Sequence, residues 1–133
     1  MPMLFVTLPV RDLPTARTFY EALGFRVNEH SSDEHTAAVV VDDNIVVKLL
    51  AQDAFAELVP GEAGDPARTT TVVNCLTVGD RPDVDDLVAR ATASGGRSGP
   101  PARDDETTYT GSFTDPDGHV WQVMWMDQLH VVN

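Results

Sequence analysis

A chain of 133 residues has room for one domain, or two small fused modules, around a sizeable core. Its formal net charge of −12, from 21 acidic and nine basic residues, argues against nucleic acid as a partner, because phosphate binding needs a cationic face. No apolar run approaches the roughly 20 residues that span a bilayer, so a membrane partner is not expected either.

The first half of the chain predicts the element order β-α-β-β-β. Leu4–Val10 is a short β-prone run, and Pro14 suits the first turn of a helix, where a missing N–H costs little. Apolar residues recur at helical spacing up to Gly24, which is well placed as a C-terminal cap. Three strands and a short helix are expected to follow, at Phe25–Glu29, Thr36–Val41, Ile45–Leu50 and Asp53–Val59.

The second half predicts the same order after a linker rich in proline, glycine and acids. A strand is expected at Thr70–Val78, and a helix from Asp80 or Pro82 through Ala93, ended by a glycine pair. The two prolines in Arg97–Ala102 leave that segment at best an edge strand.

A strong turn signal at Asp115–Gly118 predicts a β-hairpin. Proline presets the first turn angle, aspartate bonds nearby backbone, and glycine accepts a positive φ. The flanking strands are expected at Tyr109–Thr114 and His119–Met126. The second is apolar on both faces, which indicates a strand inside a domain, under a helix on one side and beside a cavity or second sheet on the other.

The two halves repeat each other. Their early parts match at an offset of 68, as in Val10 and Val78, and their late parts at an offset of 74, as in Lys48 and Gln122. We place the difference of six residues in the proline-rich stretch around Pro100. We therefore expect one domain built from a first module at 1–59, a linker at 60–69, a second module at 70–127 and a tail at 128–133.

Three segments resemble the vicinal oxygen chelate superfamily of glyoxalases, bleomycin-resistance proteins and extradiol dioxygenases: Val6–Asp12, Phe19–Phe25 and Asp115–His119. Trp121–Asp127 resembles the small proteins called predicted lactoylglutathione lyases. The likeness implies an α+β fold in which paired βαβββ modules form an open, cup-shaped mixed sheet with helices on the outer face. It is less specific for function, since the superfamily includes lyases, dioxygenases, epimerases, thiol transferases and drug-sequestering proteins.

The resemblance also implies where a metal would bind. Metal-dependent members carry a His or Gln on the first strand of a module and a Glu on its last, which corresponds here to Phe5 and Lys48, and to Val73 and Gln122. Phenylalanine and valine have no donor atom, and an ammonium has no lone pair. Because a divalent ion needs about three protein ligands, we expect neither a metal nor another cofactor.

Strand alternation, anchored on those positions, divides the side chains between two faces. The cavity face is expected to carry Phe5, Thr7, Val46, Lys48, Leu50, Val73, Cys75, Val120, Gln122, Met124 and Met126. The helix face is expected to carry Val6, Leu8, Val47, Leu49, Leu76, Val78, Trp121, Val123 and Trp125. A mostly apolar wall with a few polar points suits a small organic molecule. The candidate ligand-binding residues are Phe5, Thr7, Lys48, Cys75, Tyr109, Gln122 and Met124.

Several of these candidates have a second interpretation. Three roles are open for Lys48: it binds a carboxylate or phosphate, it acts as a base after desolvation lowers its pKa, or its side chain reaches the rim of the cavity and pairs with an acidic residue. Cys75 is a nucleophile or a small core residue. Met124 lies against a flat ligand or fills the wall. Tyr109 supplies a hydroxyl or lies at an edge.

These observations predict a metal-independent protein that sequesters or senses a small, partly apolar molecule. The alternatives are a lyase, isomerase or dioxygenase with an atypical site, and an interaction module whose cavity is closed by side chains. The acidity favours a cationic ligand or serves only solubility. A lone cysteine and the absence of a signal-peptide pattern indicate the cytoplasm. A homodimer is expected, because open sheets have edges to cover, with Leu129–Val132 in its interface.

Overall fold

The computed structural model describes residues 2–100 and 103–127, which form two units with their boundary between Thr69 and Thr70. Leu129–Val132, assigned above to a dimer interface, lie outside the described residues. No helix in the described ranges is long and apolar enough to cross a membrane.

The first unit is a four-stranded mixed sheet with its strands in the order β1-β4-β3-β2. Strand β1 is parallel to β4, and the other neighbours are antiparallel. The elements are β1 (Leu4–Val10), α1 (Leu13–Ala22), β2 (Arg26–Asn28), a 3₁₀ turn (Glu29–Ser31), β3 (Thr36–Asp42), β4 (Ile45–Ala51) and α2 (Gln52–Leu58).

The second unit repeats this topology with the order β5-β8-β7-β6, in which β5 and β8 are parallel. Its elements are β5 (Val73–Thr77), α3 (Arg81–Ala93), β6 (Arg97–Ser98), β7 (Thr108–Thr114) and β8 (Val120–Met126). The prediction of an α+β fold made of paired βαβββ modules is confirmed. Strand β6 is an edge strand of two residues, as the prolines that follow it predict.

An aspartate precedes α1 and α3, and a glycine follows each of them. The Asp12 carboxylate accepts from the Thr15 N–H at 3.3 Å, and the Asp80 carboxylate accepts from the Arg81 N–H at 2.8 Å. A proline lies in the first turn of each helix. The chain leaves each helix through a glycine of positive φ, 101° at Gly24 and 106° at Gly95, where a side chain would be strained.

Strand β2 is shorter than predicted because polar side chains divert the backbone into the 3₁₀ turn. The Asn28 side chain accepts from the His30 N–H at 3.1 Å. The Ser32 hydroxyl donates to the Asn28 carbonyl at 2.7 Å and accepts from the Ala38 N–H at 3.1 Å. These bonds compete with ladder bonds and end the strand at Asn28 rather than Glu29.

The extra residues of the second unit are divided between two places, so their assignment to the stretch around Pro100 alone was wrong. Helix α3 has 13 residues and α1 has 10, which raises the offset from 68 to 71 at Gly24 and Gly95. The sheet registers pair Val27 with Val39 and Ser98 with Phe113, so equivalent paired residues lie three positions further apart in the second unit than in the first.

The core of each unit lies between its sheet and one helix. In the first, α1 buries Ala16, Phe19 and Tyr20, and the sheet buries Ala37, Val39, Val47 and Leu49. In the second, α3 buries Val84, Leu87 and Ala91, and the sheet buries Phe113, Trp121 and Val123. A Cβ atom at Gly111 would lie 3.1 Å from side-chain atoms of both Val84 and Val88, so α3 lies directly on this face of β7. We call the face of each sheet that lies away from α1 or α3 its α-free face.

Candidate functional site

The hairpin of β7 and β8 is held by a buried carboxylate. Asp115 is 3% exposed, and its Oδ1 accepts from the N–H groups of Asp117 at 3.0 Å and His119 at 2.9 Å. The Gly118 N–H donates to the Asp115 carbonyl at 3.0 Å, and Gly118 has a φ of 102°. This turn sets the register in which Thr114 pairs with Val120, and therefore which face each β8 side chain takes.

Lys48 lies in the middle of the α-free face of the first sheet. Strand register aligns it with Thr7 on β1 and Ala38 on β3, and Ala38 with Asn28 on β2. The next row in the same face contains Phe5, Val46, Val40 and Arg26. Thr7 is thus the direct neighbour of Lys48, and Phe5 lies one pair further along. The structure brings these three candidate residues together on one face.

Lys48 is the only lysine in the chain, and it is half-buried. Within the described ranges its ammonium has neither a hydrogen bond nor an ion pair. The predicted pairing with an acid at the rim is therefore absent among these residues. Lys48 lies on β4, between β1 and β3, rather than on an edge strand.

The equivalent row in the second sheet is neutral. Register aligns Cys75 on β5 with Gln122 on β8 and Ser112 on β7, and the Gly99 N–H donates to the Ser112 carbonyl at 2.9 Å. A Cβ atom at Gly99 would lie 1.9 Å from Ser112 Oγ, so the serine side chain fills the space beside β6. Met124 lies in the next row, between Thr77 and Thr110. Cys75, Gln122 and Met124 therefore share one α-free face.

Cys75 is exposed, so its interpretation as a core residue is wrong. Partial desolvation nevertheless raises the pKa of its thiol, and the sulfur lies 4.0 Å from the Leu76 carbonyl oxygen. A raised pKa reduces the thiolate fraction at neutral pH, and the thiolate is the reactive and metal-binding form. The environment of Cys75 does not favour nucleophilic catalysis.

Tyr109 lies on the helix-covered face, apart from the other candidates. It pairs with Trp125, and its hydroxyl donates to Asp85 Oδ1 on α3 at 2.6 Å. This hydrogen bond to Asp85 raises the pKa of Tyr109. The Arg81 guanidinium carbon lies 5.6 Å from the centroid of the Tyr109 ring and 4.6 Å from that of the Trp125 ring. Trp125 is therefore half-buried beneath a cation, whereas Trp121 is in the core as predicted.

Both units expose an apolar side chain at the same position of their first strand. Phe5 is 55% exposed and Val73, its equivalent at the offset of 68, is 54% exposed. Each lies on the α-free face, since Phe5 pairs with Val46 and Val73 with Val120. The two first strands therefore expose an apolar side chain at the same position.

The side chains at the positions implied for a metal do not fit one. They are a phenyl group, an ammonium, an isopropyl group and an amide at Phe5, Lys48, Val73 and Gln122. Among residues 2–100 and 103–127, no group of three or more His, Cys, Asp or Glu side chains is arranged to hold a metal ion. Donor chemistry alone makes a divalent site at these positions unfavourable, because only Gln122 offers an oxygen.

Two residues on these faces were missed from the sequence. Arg26 and Arg97 occupy equivalent positions on β2 and β6, paired with Val40 and Thr114 respectively. The sequence contains the signal: an arginine stands two residues after each of Gly24 and Gly95, and both pairs of residues are separated by 71 positions. A comparison of the two halves at offsets of 68 and 74 alone does not align these arginines.

Comparison with known proteins gives the family. The family model described as Glyoxalase/Bleomycin resistance protein/Dioxygenase superfamily matches residues 3–123. A comparison with curated proteins found no match.

Solved structures are similar along nearly the whole chain. The hypothetical protein SA1046 from S. aureus has 23% identity and a TM-score of 0.79, with 94% of each chain covered. The fosfomycin resistance protein FosX from Mesorhizobium loti has 16% identity and a TM-score of 0.70, covering 98% of this chain and 97% of that one. The antibiotic-binding protein TnmS3 from Streptomyces sp. CB03234 has 20% identity and a TM-score of 0.67, covering 96% and 97%. At these identities the likeness shows a shared fold.

Proposed function

We propose a function for this chain, which belongs to the Glyoxalase/Bleomycin resistance protein/Dioxygenase superfamily. It binds a small, partly apolar organic molecule without a metal. The binding surface is the α-free face of its sheets, and the role is sequestration or sensing. The fold alone is compatible with many activities, so the proposal rests on the residues of that surface.

The exposed pair Phe5 and Val73 carries the proposal. Leaving either side chain in water costs free energy that an apolar ligand bound to the sheet of that unit recovers by covering it, at about 25 cal/mol per Å² buried. Each stands beside a row with polar groups, Lys48 and Thr7 in the first unit and Gln122 in the second. Apolar walls with a few polar groups are typical of sites for small organic molecules.

Two similar structures support a binding role. One is an antibiotic-binding protein and another is a fosfomycin resistance protein, both matched over more than nine-tenths of this chain. A metal-dependent lyase or dioxygenase fits the residues less well. Phe5 and Val73 stand where the resemblance implies first-strand ligands, and the raised pKa of the Cys75 thiol disfavours thiolate chemistry.

Native mass spectrometry of the purified full chain, combined with elemental analysis, tests the proposal. We expect a bound organic molecule of small mass, or capture of one from a mixed library, with less than about 0.1 transition metal per chain. The variant Phe5→Ala is expected to weaken capture, whereas Leu58→Ala is the matched control, because Leu58 is a comparably exposed apolar residue on α2, 62% exposed. One tightly held Zn, Ni, Fe or Mn ion per chain would overturn the proposal.

A further inference from the structure

Eight of the nine basic side chains of this acidic protein divide into paired and unpaired sets, and the ninth, Arg11, also has a partner. Ion pairs join the side chains of Arg17, Arg81, Arg90 and Arg103 to aspartate or glutamate. In the part of the chain that the structure describes, four basic side chains have no hydrogen bond or ion pair: Arg26, Lys48, Arg68 and Arg97. Three of these four lie on an α-free face, although acids outnumber bases 21 to nine.

Two of the unpaired cations share the α-free face of the first sheet. Lys48 is on β4 and Arg26 on β2, two strands away and one row along. Ordinary strand spacing and rise place their Cα atoms about 12 Å apart, a separation that two long side chains can bridge to one bound group. Ala38, a small residue, lies on the strand between them.

Neutral donors stand beside these cations, and carboxylates do not. Thr7 is the direct neighbour of Lys48, and Asn28 aligns with Ala38. The Asn28 side-chain oxygen is occupied by the His30 N–H, which leaves the amide NH₂ as a donor. The positions of β1 to β4 on this face, up to the register shift before Asp42, contain neither aspartate nor glutamate: Phe5, Thr7, Pro9, Arg26, Asn28, Thr36, Ala38, Val40, Val46, Lys48 and Leu50.

We propose that the α-free face of the first unit binds the anionic group of a small organic ligand, a carboxylate or a phosphate, with Lys48 as its main contact and Arg26 as its second. This inference rests on the proposed function and specifies the ligand's charge. The net charge of −12 repels anions at long range, but beyond about 10 Å that field is screened by salt. At contact distance a half-buried ammonium attracts an anion strongly. Phe5, which is 55% exposed, provides apolar surface for the body of the ligand.

Two fluorescent probes test the charge directly. 1-Anilinonaphthalene-8-sulfonate and N-phenyl-1-naphthylamine share an aromatic body, and only the first carries an anionic group. The test titrates both into the wild-type chain, Lys48→Met, Arg26→Met and the control Arg68→Met, which removes an unpaired cation outside the sheets. We expect Lys48→Met to weaken the sulfonate by about 10- to 150-fold, the scale of a charged hydrogen bond, and the neutral probe by less than about twofold. Arg26→Met should have a smaller effect, and Arg68→Met a negligible one.

A second measurement observes Lys48 in the wild-type chain. Lys48 is the only lysine, so reductive methylation with ¹³C-formaldehyde labels it and the N-terminal amine alone. We expect the Lys48 signal, assigned by its loss in Lys48→Arg, to move on addition of the sulfonate probe while the N-terminal signal does not.

The outcomes separate this inference from the proposed function. If wild-type chain binds the neutral probe and the sulfonate equally, or if Arg68→Met weakens the sulfonate as much as Lys48→Met, the charge assignment is overturned and the binding function stands. A stationary Lys48 signal in saturated protein also overturns the charge assignment alone. If neither probe binds the wild-type chain, the proposed function fails, and the inference fails with it.

Discussion

Replacing Asp115 with alanine tests how the hairpin turn holds the strand that carries Gln122 and Met124. One carboxylate oxygen accepts two backbone N–H groups, from Asp117 at 3.0 Å and His119 at 2.9 Å, and the residue is 3% exposed. A hydrogen bond to a charged group contributes about 1.5–3 kcal/mol. Because water can reach part of the vacated space, we expect Asp115→Ala to lower the free energy of unfolding by about 2–4 kcal/mol.

Urea unfolding followed by tryptophan fluorescence measures this loss. With a slope of about 2 kcal/mol per M, the midpoint should fall by about 1–2 M. Asp43→Ala is the matched control, since Asp43 is the exposed equivalent of Asp117 in the first unit's turn, and a change within about 0.5 kcal/mol is expected there. Asp115→Asn retains an acceptor oxygen and should lose about half as much. A loss below about 1 kcal/mol in Asp115→Ala, or one equal to that of Asp43→Ala, would refute the assignment of the turn's stability to this carboxylate.

Three further predictions follow from the fold. The Arg103 side chain, assisted by N–H groups of the following turn, lowers the pKa of Asp105 from 3.8 to about 2. The stabilisation of the fold by ionised Asp105 is therefore present above pH 3.8 and is lost as pH falls through about 2. Arg103→Met should raise the pKa of Asp105, measured by carboxyl ¹³C NMR, and an unchanged pKa would contradict the assignment to Arg103. Lys48→Met should change the free energy of unfolding by less than about 1 kcal/mol, because no described partner is lost; collapse of the fold would instead make Lys48 a structural residue. Light scattering should give about twice the chain mass of 14.4 kDa, and a constant 14.4 kDa across concentrations would exclude the homodimer.

Features fixed by neighbouring residues were predictable from the sequence. Helices α1 and α3 start after Asp12 and Asp80 and end before Gly24 and Gly95, since caps act over three or four residues. The division of β4 and β8 between two faces was also predicted, because alternation needs only one anchored position. The last residue of β2 was not predictable, because it depends on the hydrogen bond that the Ala38 N–H donates to the Ser32 hydroxyl.

The face of Tyr109 follows from strand register, although the residue was expected among the ligand-binding candidates. The hairpin register pairs Thr114 with Val120, so counting back five residues on β7 and forward five on β8 pairs Tyr109 with Trp125. Trp125 was expected on the helix face, and two paired residues share a face, so Tyr109 belongs there too. Its bond to Asp85 was beyond prediction, because that contact depends on where α3 packs.

Equivalent positions in the two units differ in how strictly they are restricted. The strand end and the caps around the first helix of each unit carry the same residue in both: Leu8 and Leu76, Val10 and Val78, Asp12 and Asp80, Pro14 and Pro82, Gly24 and Gly95. Packing under a helix, capping and positive φ restrict these positions severely. On the α-free faces the row of Thr7, Lys48 and Ala38 corresponds to Cys75, Gln122 and Ser112, and no side chain is shared.

Of the three unpaired cations on the α-free faces, edge protection explains two. Arg26 and Arg97 lie on β2 and β6, the edge strands of their sheets, where a charged side chain discourages pairing with another chain. That role accounts for an arginine at both equivalent positions. Lys48 lies on β4, between two partner strands, and has no edge to protect. A half-buried cation at the centre of a sheet, with no described partner, costs solvation energy and adds no contact to the fold. The anionic group proposed above would offset that cost, so the binding test must be decided at Lys48, with Arg26 as the secondary contact.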